Sequence, residues 1–148
     1  MEKLEIDIAS DLHIDQWDKN LFNKFPSGIV KHNPDILIQK KSKILIIAGD
    51  ISDNLYLTLN YLNNISIKYE KILFVDGNHE HVYEFPNLYS TNYINERISE
   101  LNNNKIVYLP KNNFIFNNIA FLGCCGWWNF SESKDENNYF KNWIPKLD

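Results

Sequence analysis

The chain has 148 residues, 44% of them hydrophobic and 23% charged, a balance that suits one soluble globular domain with a real core and excludes a disordered chain or two ordinary domains. Fifteen Lys and Arg against 19 Asp and Glu leave a formal net charge of −4, which excludes a bulk basic field that would hold nucleic acid by its phosphates. No apolar run approaches the roughly 20 residues that span a bilayer and no basic-then-apolar leader opens the chain, so no membrane partner is expected and the location read from the sequence is cytoplasmic.

Leu4, Ile6 and Ile8 alternate with Glu5 and Asp7, the period of a strand with one apolar face. The strand runs into Ser10-Asp11-Leu12-His13. Residues 14–34, with Trp17, Leu21, Phe22, Phe25, Pro26 and Pro34, allow one short helix and show no clear period. Ile44-Leu45-Ile46-Ile47-Ala48 and Ile72-Leu73-Phe74-Val75 are unbroken apolar runs, the signature of parallel strands covered on both faces. The first ends on Gly49-Asp50 and the second on Gly77-Asn78-His79-Glu80. Between them Leu55, Leu59, Leu62, Ile65 and Tyr69 recur at helical spacing, with Ser52 or Asp53 as cap; the three elements make a βαβ unit. Ile94, Ile98 and Leu101 predict a second helix over about 91–101, stopped by the turn-prone Asn102-Asn103-Asn104. Lys105 to Leu109 then reads as a strand. Phe114-Ile115-Phe116 and Ile119-Ala120-Phe121-Leu122 flank Asn117-Asn118, a two-residue hairpin signal. The adjacent Cys124 and Cys125 would point to opposite faces of a strand and are read as reduced thiols, not a disulfide. The tail from Trp127 has no clear period.

Three polar words therefore close three strands, along the edge where open α/β sheets build their sites. Asp11 and His13, two apart on an extended backbone, send their side chains the same way and offer a carboxylate and an imidazole to a Mn, Fe, Co or Zn type of ion. Asp50 follows Gly49, whose missing Cβ permits a sharp turn, and its two oxygens can bridge cations. Asn78 offers a neutral oxygen ligand, while His79 can reach a phosphate oxygen or protonate a leaving group. Glu80 is given a structural role at the positive end of a following helix. His81 either lines the pocket or sits on a helix surface, and His32, in a loop, is given no role. Each word alone is an ordinary turn; the three together in order are not.

In order and spacing the words Asp11-x-His13, Gly49-Asp50 and Gly77-Asn78-His79-Glu80 resemble the calcineurin-like metallophosphoesterases. The resemblance implies a four-layer α/β/β/α sandwich and hydrolysis of a small phosphomonoester or phosphodiester by a water activated between two divalent metals. It also implies Asp11, His13, Asp50 and Asn78 as metal ligands and His79 as the catalytic histidine. The family's later His and G-H-x-H motifs have no counterpart, since no His follows His81. Residues 1–148 are therefore expected to be a single, incomplete domain corresponding to the family's N-terminal portion. It is expected to hold at most one ion, weakly, to be impaired and hydrolyse an aryl phosphodiester little or not at all, and to leave the sheet face of Ile44, Ile46, Leu73 and Val75 without cover and able to associate. Two other readings stay open: a non-catalytic phosphate- or metal-binding module derived from that fold, and a doubly wound nucleotide-binding domain, which the lack of a Gly-rich loop after the first strand disfavours.

Overall fold

A computed structural model of the chain describes residues 3–16, 38–84 and 89–125. The expected short helix after His13, His32, and the aromatic tail with Trp127 lie outside the described residues. The elements run β1 (Ile6–Ala9), β2 (Ile44–Ala48), α1 (Leu55–Ile65), β3 (Lys71–Val75), a 3-10 helix (His79–Glu84), α2 (Thr91–Glu100), β4 (Ile106–Tyr108), β5 (Phe114–Phe116) and β6 (Ile119–Phe121). Strands β1-β2-β3-β4 form one sheet in that order, and β5-β6 form a separate hairpin. All three pairings in the large sheet are parallel, with Ile8, Ile46, Leu73 and Val107 in register across it. This is the α/β fold that the apolar runs predict. Because the strands are parallel, their carboxyl ends share one edge.

The helices begin where side chains satisfy orphan N–H groups. Asn54, not Ser52 or Asp53, caps α1: its side-chain oxygen accepts the N–H groups of Tyr56 and Leu57. Ser52 is engaged in accepting the Asn54 N–H. The helix also stops at Ile65, before Tyr69, whose hydroxyl donates across the sheet's amino edge to Asp7. Ser90 caps α2 through the Tyr93 N–H.

Strand alternation sends the apolar runs to two cores. On one face Leu45, Ile47, Ile72 and Phe74 pack with Leu59, Leu62 and Ile65 of α1 and Ile94 and Ile98 of α2. Each such fully buried aliphatic side chain contributes about 2 kcal/mol of transfer free energy. On the other face Ile44, Leu73 and Leu109 are buried with Phe114, Phe116 and Phe121 of the hairpin against them. Ile44 and Leu73 are thus not bare, contrary to the expectation from half a sandwich, because the aromatic hairpin folds back over them. The face is open at Ile8, which is 72% exposed. Asn117 (φ 49°) and Asn118 (φ 61°) both take the left-handed conformation that a type I′ hairpin turn demands. Just beyond the hairpin, a Cβ on Gly123 would lie 2.6 Å from Val75 Cγ1 and 2.7 Å from Leu109 Cβ, so the backbone crosses the sheet too closely for any other residue. No described helix is long and apolar enough to cross a membrane.

Candidate metal centre

Two glycines let the ends of β2 and β3 close on each other. Gly49 has φ +78°, and a Cβ there would lie 2.7 Å from Gly77 Cα. A Cβ on Gly77 would lie 2.8 Å from Asp50 Cγ, so only glycine lets the Asp50 carboxylate fold across the turn. Glu80 braces the pair. Its side chain is fully buried; Oε2 accepts the N–H groups of Gly77 (2.7 Å) and Asp50 (3.0 Å), and Oε1 accepts the Ile51 N–H (2.7 Å) and the Thr58 hydroxyl (3.1 Å). Burial pushes its carboxyl above the usual range, the nearby Asp50 charge adds to this, and the donated N–H bonds oppose it. Glu80 is structural, as expected, but by tying two loops together and not by meeting an α-helix dipole; it sits at the start of a 3-10 helix.

The segment after β1 is laced to the β2 loop by three bonds: Asp11 N–H to Gly49 O (3.2 Å), His13 N–H to Asp50 O (3.1 Å) and Ile14 N–H to Ile51 O (2.8 Å). Making them forces Asp11 (φ 52°) and His13 (φ 41°) into the left-handed region, where Asp50 (φ 57°) also sits. The extended backbone expected to send Asp11 and His13 the same way is therefore absent. Asp11 is exposed, Leu12 is buried and His13 is half-buried. Three non-glycine residues at positive φ in one cluster is stored strain of the kind that gathers at functional sites.

His13, Asp50 and His79 each offer a ligand atom, and those atoms all lie within 4.8 Å of one another. The two imidazole rings meet edge to face with centroids 4.3 Å apart. Asp50 Oδ1 accepts the His79 N–H at 3.0 Å. His79 Nδ1 is 2.5 Å from Asp53 Oδ1; a carboxylate only accepts, so Nδ1 is the donor of this pair. His13 Nδ1 is buried without a hydrogen-bond partner, an orphan that a cation at this point would satisfy. Two imidazoles and a carboxylate suit a borderline transition metal, so the residues present fit such an ion. Asp11 reaches the same edge but is not one of the three. Asn78 is half-buried in the turn, with its carbonyl accepting the His81 N–H at 3.1 Å. His79, assigned from sequence to the leaving group, lies inside the group of ligand atoms.

Two acidic residues join the site without having been singled out for it. Asp53, read only as a cap, orients His79; its signal was the three-residue spacing from Asp50 around a turn. Asp15 accepts the Asp53 N–H at 3.4 Å through Oδ2, while its buried Oδ1 has no partner. Burial, then the neighbouring Asp53 charge, pushes the Asp15 carboxyl up. Its signal was the alternation Asp11, His13, Asp15. His81 is neither pocket lining nor surface: it is buried, with Nε2 2.8 Å from Asp76 Oδ2.

A family model described as calcineurin-like phosphoesterase matches residues 4–146. The chain belongs to that family. Neither the curated proteins nor the solved structures compared with it gave a match. Calcineurin-like phosphoesterases hydrolyse phosphoester bonds and typically use divalent metals. In this member the ends of three parallel strands bring together a His/Asp/His group that could hold a metal ion.

Proposed function

We propose that the chain is a metal-dependent phosphoesterase acting on a small phosphomonoester or phosphodiester. The observation that carries this reading is the convergence of His13, Asp50 and His79, from the ends of three strands, to ligand atoms within 4.8 Å of one another. His13 and Asp50 would hold a divalent ion, with Asp11 and Asn78 on the same edge as the further ligands that the family resemblance implies. Such an ion, of the Mn, Fe, Zn or Co type, supplies positive charge to the phosphoryl oxygens and acidifies water.

The chain's own residues account for the rest. Asp50, Asp53 and Asp15 make this edge strongly anionic, so an anionic phosphoester is repelled unless a cation is held there. Asp53 keeps the His79 proton on Nδ1 and fixes the ring plane. In the leaving-group role the His79 ring would pass a proton to the departing oxygen, with the Asp53 carboxylate orienting the ring through Nδ1. A second reading, favoured by the presence of His79 among the grouped ligand atoms, makes the His79 imidazole a metal ligand instead.

Metal content and hydrolysis of aryl phosphomonoesters and phosphodiesters, measured together on the whole chain and on His79→Asn, separate these. The expected result is about one Mn-like ion held weakly, with metal content kept in the variant while turnover falls about a hundredfold. Equal loss of metal and rate would move His79 into the metal shell. A bound ion with no turnover on either ester would turn the assignment to a non-catalytic metal- or phosphate-binding module.

A further inference from the structure

Behind the metal-facing turn lies a second polar group that the proposed chemistry does not use. Asp76, the residue before Gly77, is 3% exposed and carries its carboxylate into the core. Two donors from different elements meet it: the Tyr108 hydroxyl of β4 at Oδ1 (2.5 Å), and His81 Nε2 of the 3-10 helix at Oδ2 (2.8 Å). His81 in turn accepts the Tyr89 N–H on Nδ1 at 3.1 Å. His81 thus donates from Nε2 to the carboxylate and accepts on Nδ1.

We propose that Asp76, clamped between Tyr108 and His81, is a positioning residue that sets the Gly77-Asn78-His79 turn against Asp50. The turn is tied on two sides. Glu80 grips it from the β2 loop, through the Gly77 and Asp50 N–H groups. The Asp76–His81 pair closes it a second time, spanning the turn that the His81 N–H to Asn78 O bond also closes. Both ties are needed because the turn runs through a gap where Gly77 has no room for a Cβ and where His79 N–H must reach Asp50 Oδ1. A buried carboxylate with two oxygens and two donors is a satisfied network, and its geometry is unforgiving: an amide in its place presents N–H to one donor or the other. Residues of this kind behind a metal site change metal affinity by about 10–100-fold when replaced.

The inference rests on the phosphoesterase reading only for its metal readout, and the test has a second readout that does not. The full chain and the variants Asp76→Asn, Tyr108→Phe, Asp76→Asn/Tyr108→Phe and Asp7→Asn are labelled with 15N. Imidazole nitrogen–proton correlations are recorded metal-free, well below each variant's unfolding temperature, with a Mn titration afterwards. Asp7→Asn is the control. It also removes a carboxylate bonded to a tyrosine hydroxyl and two backbone N–H groups, but at the far edge of the sheet.

The expected result is the Nε2–H signature for His81 and a hydrogen-bonded Nδ1–H for His79 in the wild type. Asp76→Asn loses the first, broadens the second and weakens Mn binding about tenfold. The double variant recovers part of both, because the amide NH2 can then face the space left by the phenol while its oxygen accepts from His81. Asp7→Asn lowers the unfolding temperature and leaves both signals and Mn binding alone. The proposal is overturned if Asp76→Asn behaves like Asp7→Asn. Should Asp76→Asn fail to fold, Tyr108→Phe is read by the same two signals. A wild type that binds no Mn would remove the phosphoesterase reading, while the His79 signal would still decide the positioning role.

Discussion

The two edges of the parallel sheet are built from similar residues and behave oppositely. At the amino edge Asp7 accepts from the Tyr69 hydroxyl and from the Lys41 and Ser42 N–H groups, while Ser42 Oγ accepts the Asp7 N–H and donates to Ile44 O. Asp7 and Ser42 are knitted together, and neither has positive φ. At the carboxyl edge Asp11, His13 and Asp50 take positive φ, and His13 Nδ1 and Asp15 Oδ1 are buried without partners. The difference teaches where this fold tolerates strain and unmet polarity: along the edge where His13, Asp50 and His79 converge, with the amino edge as the hydrogen-bonded counterpart.

The comparison breaks most sharply at Gly77. Gly77→Ala puts a Cβ against Asp50 and should cost about 3 kcal/mol of stability. Chemical unfolding read beside Mn binding checks it, and a variant of wild-type stability would mean the two loops are not pressed together as described.

Removing one carboxylate at each edge should have smaller effects. Glu80→Gln leaves five donors, the Gly77, Asp50, Ile51 and Ser52 N–H groups and the Thr58 hydroxyl, facing an amide that can accept fewer of them, with an expected loss of about 2 kcal/mol. Asp7→Asn, more open to solvent, should lose about 1 kcal/mol. Urea unfolding of the two variants under one condition gives the ranking, and the reverse order would contradict the picture of Glu80 as the brace.

The smallest expected effect is a difference in pH slope. Burial pushes the Asp7 carboxyl up, but the bonds from Lys41, Tyr69 and Ser42 outweigh it and hold it below its ordinary value of 3.8. A depressed folded pKa means the stabilisation is present above that value and lost as pH falls through the folded pKa. Glu80 is the opposite case: burial raises it above 4.5. Its contribution is therefore fully present below that value and fades as pH rises through the folded pKa. Against wild type, Asp7→Asn should flatten the loss of stability on the acid side. The deficit of Glu80→Gln should narrow as pH rises from about 4 to 7. Unfolding midpoints across that range measure both, and parallel curves for the three proteins would remove the contrast.

Local signals made most of the scaffold legible. The runs at Ile44–Ala48 and Ile72–Val75, the hairpin at Asn117-Asn118 and α2 near Thr91 all lie where the pattern puts them, because side-chain period and turn chemistry act between near neighbours. The cap of α1 moved to Asn54 because Asp53 is drawn off to His79, and no local rule sees a partner 26 residues away. His81 was ambiguous for the same reason: its place is decided by Asp76 across the turn and by Tyr89, just before the cap of α2.

What the sequence determined by itself was the set of strands, their parallel character and the delivery of Asp11, His13, Asp50, Asn78 and His79 to strand ends. What only the tertiary structure decided was which polar atoms meet there. That depended on backbone torsions after β1 that reverse the simple alternation of Asp11 and His13, and on the close approach of Gly49 and Gly77. It depended also on Glu80 reaching back to Asp50, Ile51 and Gly77. Periodicity can say which edge a side chain reaches. Its direction once there is set by hydrogen bonds between loops from different strands, and these exist only when the sheet has closed.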